Sequence, residues 1–176
     1  MIKMRKRWPF LTVGFAFALL HIGANSLKAQ GDCKMVLEAA NKTVTTATHT
    51  YSTMNIAGKE QTVEIIYLPG VIYSRINGKW SSVKMTAQEL AELGKPKARN
   101  DTATCKYVKD ELVNGEIAAV YNGHDVTPSG TVDTQVWISK AKGLLLRQDI
   151  DIDVGGGGGK SHTSSRYEYG NVKPPI

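Results

Sequence analysis

Residues 153–165 read Asp-Val-Gly-Gly-Gly-Gly-Gly-Lys-Ser-His-Thr-Ser-Ser, and five glycines followed by Lys160-Ser161 have the residue types of a phosphate-binding loop. Such a loop needs Gly, four residues of any kind, then Gly-Lys-Ser or Gly-Lys-Thr, because its backbone N–H groups cradle phosphate and a helix must follow. Counting back from Gly159, the first required glycine falls on Val154. The residues after the glycines are poor helix formers, and Arg166-Tyr167-Glu168-Tyr169 alternates with period two. The stretch therefore predicts a flexible loop leading into a strand, with no nucleotide chemistry.

Asp149, Asp151 and Asp153 supply acids at positions 1, 3 and 5 of a calcium loop. That loop also needs Gly at position 6 and Glu at position 12, where this chain has Val154 and Lys160. Beyond His21, the histidines are His49, His124 and His162, with no metal-ligand spacing and no nucleophile motif beside them. These residues predict neither metal nor cofactor, and they do not support an enzyme. Asn41-Lys42-Thr43 and Asn100-Asp101-Thr102 match the glycosylation sequon, which matters only in a glycosylating cell.

The elements that carry these side chains begin after a targeting segment. Lys3, Arg5, Lys6 and Arg7 precede the apolar run Phe10 to Leu20, then small and polar residues to Ala29, the pattern of a secretory signal peptide over residues 1–29. Residues 30–176 are then one domain of about 147 residues, large enough for a core. Removing residues 1–29 takes away five bases and no acid, so the formal net charge falls from +6 to +1. A near-neutral domain gives no electrostatic reason to bind nucleic acid. Cys33 and Cys105 are bound for an oxidising compartment. Paired, they would tether the first helix to a mid-chain strand and stabilise by roughly 4 kcal/mol in the chain-entropy model. The alternative is two free buried thiols.

Asp32 can cap a helix from Cys33 to about Lys42, in which Val36, Ala39, Ala40, Thr43 and Val44 form one stripe. The Thr-rich segment from Thr43 to Thr53 favours extended chain. Turn signals then recur at strand spacing: Gly58, Pro69-Gly70, Asn77-Gly78, Asn114-Gly115, Asn122-Gly123, Thr127 to Gly130, Lys142-Gly143 and the polyglycine. They predict an antiparallel, locally connected sheet of about seven strands. A second helix is predicted at residues 87–93, with a Thr86/Glu89 capping box, a Met85/Leu90 staple and a stop at Gly94 and Pro96. The basic loop after it, residues 95–101, is read as a solvated connection, with contact to an anionic membrane surface as the sharper option.

Leu144, Leu146, Ile150, Ile152 and Val154 share one parity, with Arg147 and the three acids on the other, which describes a strand with one apolar and one wet face. Seven strands at about 4.8 Å make a face about 34 Å wide, which two helices of about 10 Å cannot cover. The remaining apolar face must curl closed or leave a concave cavity suited to a lipid chain.

Trp137-Ile138-Ser139, Gly143-Leu144-Leu145-Leu146-Arg147 and Tyr167-x-Tyr169-x-Asn171-Val172 together resemble the C-terminal half of the bacterial periplasmic lipoprotein-carrier (LolA-like) superfamily. Its pattern is Trp-Ile-Asp, Gly-Leu-Pro-Leu-Arg, then a closing strand near Tyr-x-Asn-Val; here Ser139 replaces the acid and Leu145 the proline. The motif spans residues 131–172, and the order of elements residues 33–172. The resemblance implies an α+β fold, a strongly curved antiparallel sheet forming an unclosed half-barrel around one or two helices, with an apolar cavity for acyl chains. It also implies an Arg on an early strand that controls closing of the cavity, for which Arg75 is the nearest candidate.

On that reading the protein is a periplasmic or secreted monomer that binds or carries a lipid or acylated protein without covalent chemistry, with transient contact to a membrane or a membrane-protein donor and acceptor. The lining candidates are Met54, Ile56, Ile65, Tyr67, Tyr73, Trp80, Trp137, Leu144, Leu146, Ile150 and Ile152, each of which can equally be ordinary core. The face assignment on the early strands is sensitive to register, since a one-residue slip swaps every side chain. The alternative is an interaction or sensor adaptor with a filled core. A third reading, a hydrolase, would require histidines and acids gathered around a polar cleft.

Overall fold

The computed structural model describes residues 31–56, 58–86, 88, 89, 92, 103–155 and 159–175. A helix, α1 (Gly31–Thr45), precedes nine strands: β1 (Thr48–Ile56), β2 (Lys59–Leu68), β3 (Val71–Ile76), β4 (Lys79–Lys84), β5 (Thr104–Val113), β6 (Glu116–Thr127), β7 (Gly130–Ser139), β8 (Leu145–Val154) and β9 (Gly159–Tyr169). All nine form one antiparallel sheet in the order β4-β3-β2-β1-β9-β8-β7-β6-β5. The edge strands β4 and β5 do not pair with each other, so the sheet is an open, curved half-barrel and the fold is α+β, as expected, with more strands than the turn signals suggested. Two meanders, β1–β4 and β5–β9, are stitched together by β1 pairing with β9, from Thr48↔Tyr169 to Ile56↔Ser161.

Turn chemistry explains the hairpins. Asn77-Gly78 and Asn114-Gly115 have φ of 52°/77° and 52°/81°, the left-handed pair that a two-residue type I′ turn requires. Asn122-Gly123 does not turn; it lies inside β6, which runs unbroken between Asn114-Gly115 and the Pro128-Ser129 turn. The strand pairing continues without a break through Gly123, from Tyr121 to Asp125.

The helix is longer than its stripe suggests. It already includes Asp32, which is therefore not the residue outside it, and it continues to Thr45. Thr43 Oγ1 donates to the Ala39 carbonyl (3.0 Å) and Thr45 Oγ1 to that of Asn41 (3.0 Å), so these hydroxyls bond back into the helix and extended chain starts only at Thr48. Of the second helix, Gln88, Glu89 and Glu92 are helical, and the capping box is made: Glu89 N–H donates to Thr86 Oγ1 (3.2 Å) and Thr86 N–H to Glu89 Oε2 (2.7 Å). Leu90, the Gly94/Pro96 stop and the basic loop lie outside the described residues.

The predicted stripe Val36, Ala39, Ala40, Thr43 and Val44 is buried. Val36 and Ala39 pack with Ala119 and Tyr121 of β6, Val136 and Ile138 of β7, Leu145 of β8 and Tyr167 of β9. Val44, at the other end of the helix, packs with Val63, Ile65 and Tyr67 of β2. A helix of 15 residues is about 22 Å long, so α1 lies across the strands, from β6 toward β2.

A bulge sets the register of the central hairpin. Trp137 pairs with Arg147 but Ile138 with Leu145, so Leu146 is an extra residue. Leu145 is consequently the buried inward residue (4 % exposed), and Leu146 packs on the other side with Ala118, Val120 and Trp137. The single parity read along Leu144 to Val154 holds only from Gln148 onward.

Candidate functional site

Residues directly opposite in an antiparallel sheet share a face. The face that carries α1 therefore includes the row Gln61, Met54, Thr163, Ile150, Thr134 and the next row Lys59, Ile56, Ser161, Ile152, Val132. In both rows β9 contributes a short side chain, Thr163 or Ser161, between Ile150 and Ile152 of β8 and Met54 and Ile56 of β1. Ser161 and Thr163 are thus the short side chains of these rows, between longer apolar ones on β8 and β1. Ile150 is buried, Met54 and Ile152 are half-buried, and Ile56 is exposed at 42 %.

Of the predicted lining residues, Met54, Ile56, Ile65, Tyr67, Ile150 and Ile152 share this face. Ile65 and Tyr67 are packed under Val44 of α1. Three tyrosines of the face, Tyr67, Tyr167 and Tyr169, have hydroxyls made harder to ionise by burial, Tyr67 and Tyr169 each pushed up to about 12 and Tyr167 further in the same direction. Tyr167 donates to Gln148 Oε1 (2.8 Å), and the Tyr169 hydroxyl lies 3.2 Å from Thr43 Oγ1, tying β9 to β8 and to α1.

Tyr73, Trp80, Trp137 and Leu146 stand on the opposite, outer face, and Leu144 is in the turn before β8, so the eleven do not form one surface. The cause is register: Ile66 pairs with Tyr73 and Arg75 with Trp80, which places both aromatics on the parity that points away from the helix. Trp137 is buried under the Arg147 guanidinium, 4.6 Å from its ring centroid. Arg75 also faces outward, donating to Glu64 Oε1 (2.7 Å), away from α1.

The two departures from the carrier pattern have a local account. Ser139 is fully buried, donates to Glu116 and accepts from Lys142 N–H (2.9 Å), closing the turn that an aspartate oxygen at this position would also close. Lys142 and Ser139 hold the Glu116 carboxyl below the usual carboxylate range. Leu145 occupies a buried position under α1.

Strand pairing also assembles what no local pattern announces. Each of the three described histidines meets an acid on a neighbouring strand: His49 Nε2 lies 3.2 Å from Glu64 Oε2, His124 Nδ1 2.6 Å from Asp133 Oδ1, and His162 Nδ1 2.8 Å from Asp151 Oδ1. The latter two border a polar cleft of about 500 Å³ on the outer side of β5 to β9. Histidines and acids around a polar cleft are the gathering that the hydrolase reading requires, and nucleophilic catalysis there would further need a hydroxyl or thiol bonded to one of these two histidines. Ser164, beside the cleft, instead donates to Asp149 (2.7 Å). Asp149, Asp151 and Asp153 lie along β8 on this outer face, bonded to Arg147, His162 and Lys160. Lys160 is part of β9.

No family model and no curated protein matches the chain. Among solved structures, one of MucB in complex with MucA(peri) aligns with 82 % of this chain at 14 % identity and a TM-score of 0.52; the chain spans 57 % of that protein's length. A DUF1329 family protein from Desulfovibrio piger aligns at 12 % identity and a TM-score of 0.30, covering 83 % of this chain and 95 % of its own. A LolA superfamily protein from Nitrosomonas europaea aligns at 8 % identity and 0.26, covering 84 % and 96 %. The likeness to MucB is one of fold. The chain has the expected α+β architecture, an open, curved antiparallel sheet with a helix against one face.

Proposed function

We propose that this chain is a periplasmic, non-catalytic domain that holds the acyl chain of a lipid or acylated protein in the trough over β9, acting as a monomer after loss of residues 1–29. The observation that carries the reading is the flanking of Ser161 and Thr163 by Ile150 and Ile152 on one side and Met54 and Ile56 on the other. An acyl chain laid there gains about 0.8 kcal/mol per buried methylene. Residues 30–176 act as one domain. Cys33 and Cys105 pair: Cys105 sits opposite Gly123 on the helix-side parity, α1 packs against β5, and no cysteine among the described residues is free.

The test is native mass spectrometry of the mature protein purified from a periplasm, with organic extraction of what it retains. A lipid at defined stoichiometry supports the reading and names the cargo class. A clean apo mass, together with no uptake of a fluorescent fatty acid, overturns it.

A second reading has its own support. The MucB structure was captured with MucA(peri), which favours a docking domain for a periplasmic protein partner. An apo mass with a co-purifying polypeptide of defined stoichiometry would select it.

A further inference from the structure

Along β9 the residues that face the helix side are Ser161, Thr163, Ser165, Tyr167 and Tyr169, every one a hydroxyl. On β1 beside them stand Thr48, Thr50 and Ser52, with Ser52 opposite Ser165 and Thr50 opposite Tyr167. Most of the buried hydroxyls have partners inside the fold: Tyr169 lies by Thr43, Tyr167 donates to Gln148, Ser52 and Ser165 bond each other (2.8 Å), and Thr48 donates to the Thr43 carbonyl (3.0 Å). Thr50 does not. Its neighbours across the strands, Ile65 and Tyr167, both pack under α1, it is only 3 % exposed, and its Oγ1 is buried with no hydrogen-bond partner. Valine has nearly the same shape without the polar atom, so packing alone does not call for threonine at this position.

We propose that the cargo of the trough is an acyl chain hydroxylated in its distal half, with Thr50 as the partner of that hydroxyl. The inference rests on the acyl-chain reading above and narrows the class of lipid. The solvent end of the trough is at Ile56, which is 42 % exposed, and β1 leads inward from it through Met54 and Ser52 to Thr50. That path is six residues, about 20 Å at the rise of a strand. An acyl chain fills half of a bilayer's hydrocarbon core, about 15 Å, so one entering beside Ile56 ends between Ser52 and Thr50. A plain alkyl end there would leave the Thr50 hydroxyl as orphaned as it is now. A hydroxyl both donates and accepts, so it can serve Thr50 in either sense. A carboxylate is a poor candidate for the inner end, since the helix-side residues of β1, β8 and β9 include no lysine or arginine to meet it. The apolar edges of the chain lie against Met54, Ile56, Ile150 and Ile152.

The test is displacement of a fluorescent fatty acid from the full mature chain by octadecanoic acid and by 12-hydroxyoctadecanoic acid. The hydroxy acid should displace at a concentration roughly tenfold or more lower, the worth of one hydrogen bond that rescues a buried hydroxyl. Thr50→Val should bring the two acids level by weakening the hydroxy acid alone, and its thermal midpoint should stay or rise, because the orphaned oxygen is gone. Thr50→Ser, which keeps a hydroxyl, should keep the preference. Thr53→Val, exposed on the other face of the same strand, should keep it too. Equal displacement by the two acids, or a preference that survives Thr50→Val, would overturn the hydroxyl proposal and leave the acyl-chain reading standing. Binding of neither acid would overturn both.

Discussion

Ile138 of β7 pairs directly with Leu145 of β8, while the next residue back, Trp137, pairs with Arg147. One extra residue, Leu146, is accommodated between these two pairs, and it decides which leucine enters the core. Leu145→Ala should cost about 2–4 kcal/mol of unfolding free energy, the range for a buried leucine whose cavity cannot collapse. Leu146→Ala, at a half-buried position on the other face, should cost clearly less. Urea denaturation of both variants checks the order, and a larger loss at Leu146 would contradict the bulge.

The buried tyrosines predict an alkaline limit. Tyr67 and Tyr169 ionise near 12 in the fold and near 10 when unfolded, so between these values the folded state binds more protons. The tyrosines' contribution to stability should be level below about pH 10 and fall as pH rises toward 12, by roughly 2–3 kcal/mol for each. Urea melts across this range measure the fall, and Tyr67→Phe should make it shallower.

Cys33 and Cys105 should titrate as no free thiol in the oxidised protein and as two after reduction under denaturing conditions. Reduction, or Cys105→Ser, should lower stability by roughly 4 kcal/mol or less. Two reactive thiols without reductant would sink the pairing.

Ile152→Asp tests the trough without touching the packing of α1. A half-buried carboxylate beside Ser161 should reduce uptake of a fluorescent fatty acid by tenfold or more, since an acyl chain would have to desolvate a charge. Thermal unfolding should change little. Tyr73→Ala, on the outer face, should leave uptake as it is.

The sequence by itself determined the local elements and their order. The α1 stripe from Val36 to Val44, the capping box at Thr86 and Glu89, and the Asn-Gly turns at 77–78 and 114–115 all act within a few residues, where helix periodicity and left-handed φ leave a readable pattern. The Trp137 hairpin also carried the architecture. Tertiary structure alone decided which side each strand shows. Trp80 and Tyr73 turn outward, and Leu145 replaces Leu146 in the core, because register and a single bulge reverse every side chain beyond them. It alone also made the row from His124 through Asp133 and Asp151 to His162, whose members come from four strands. Cross-strand neighbours are set by pairing, and pairing is a property of the whole sheet.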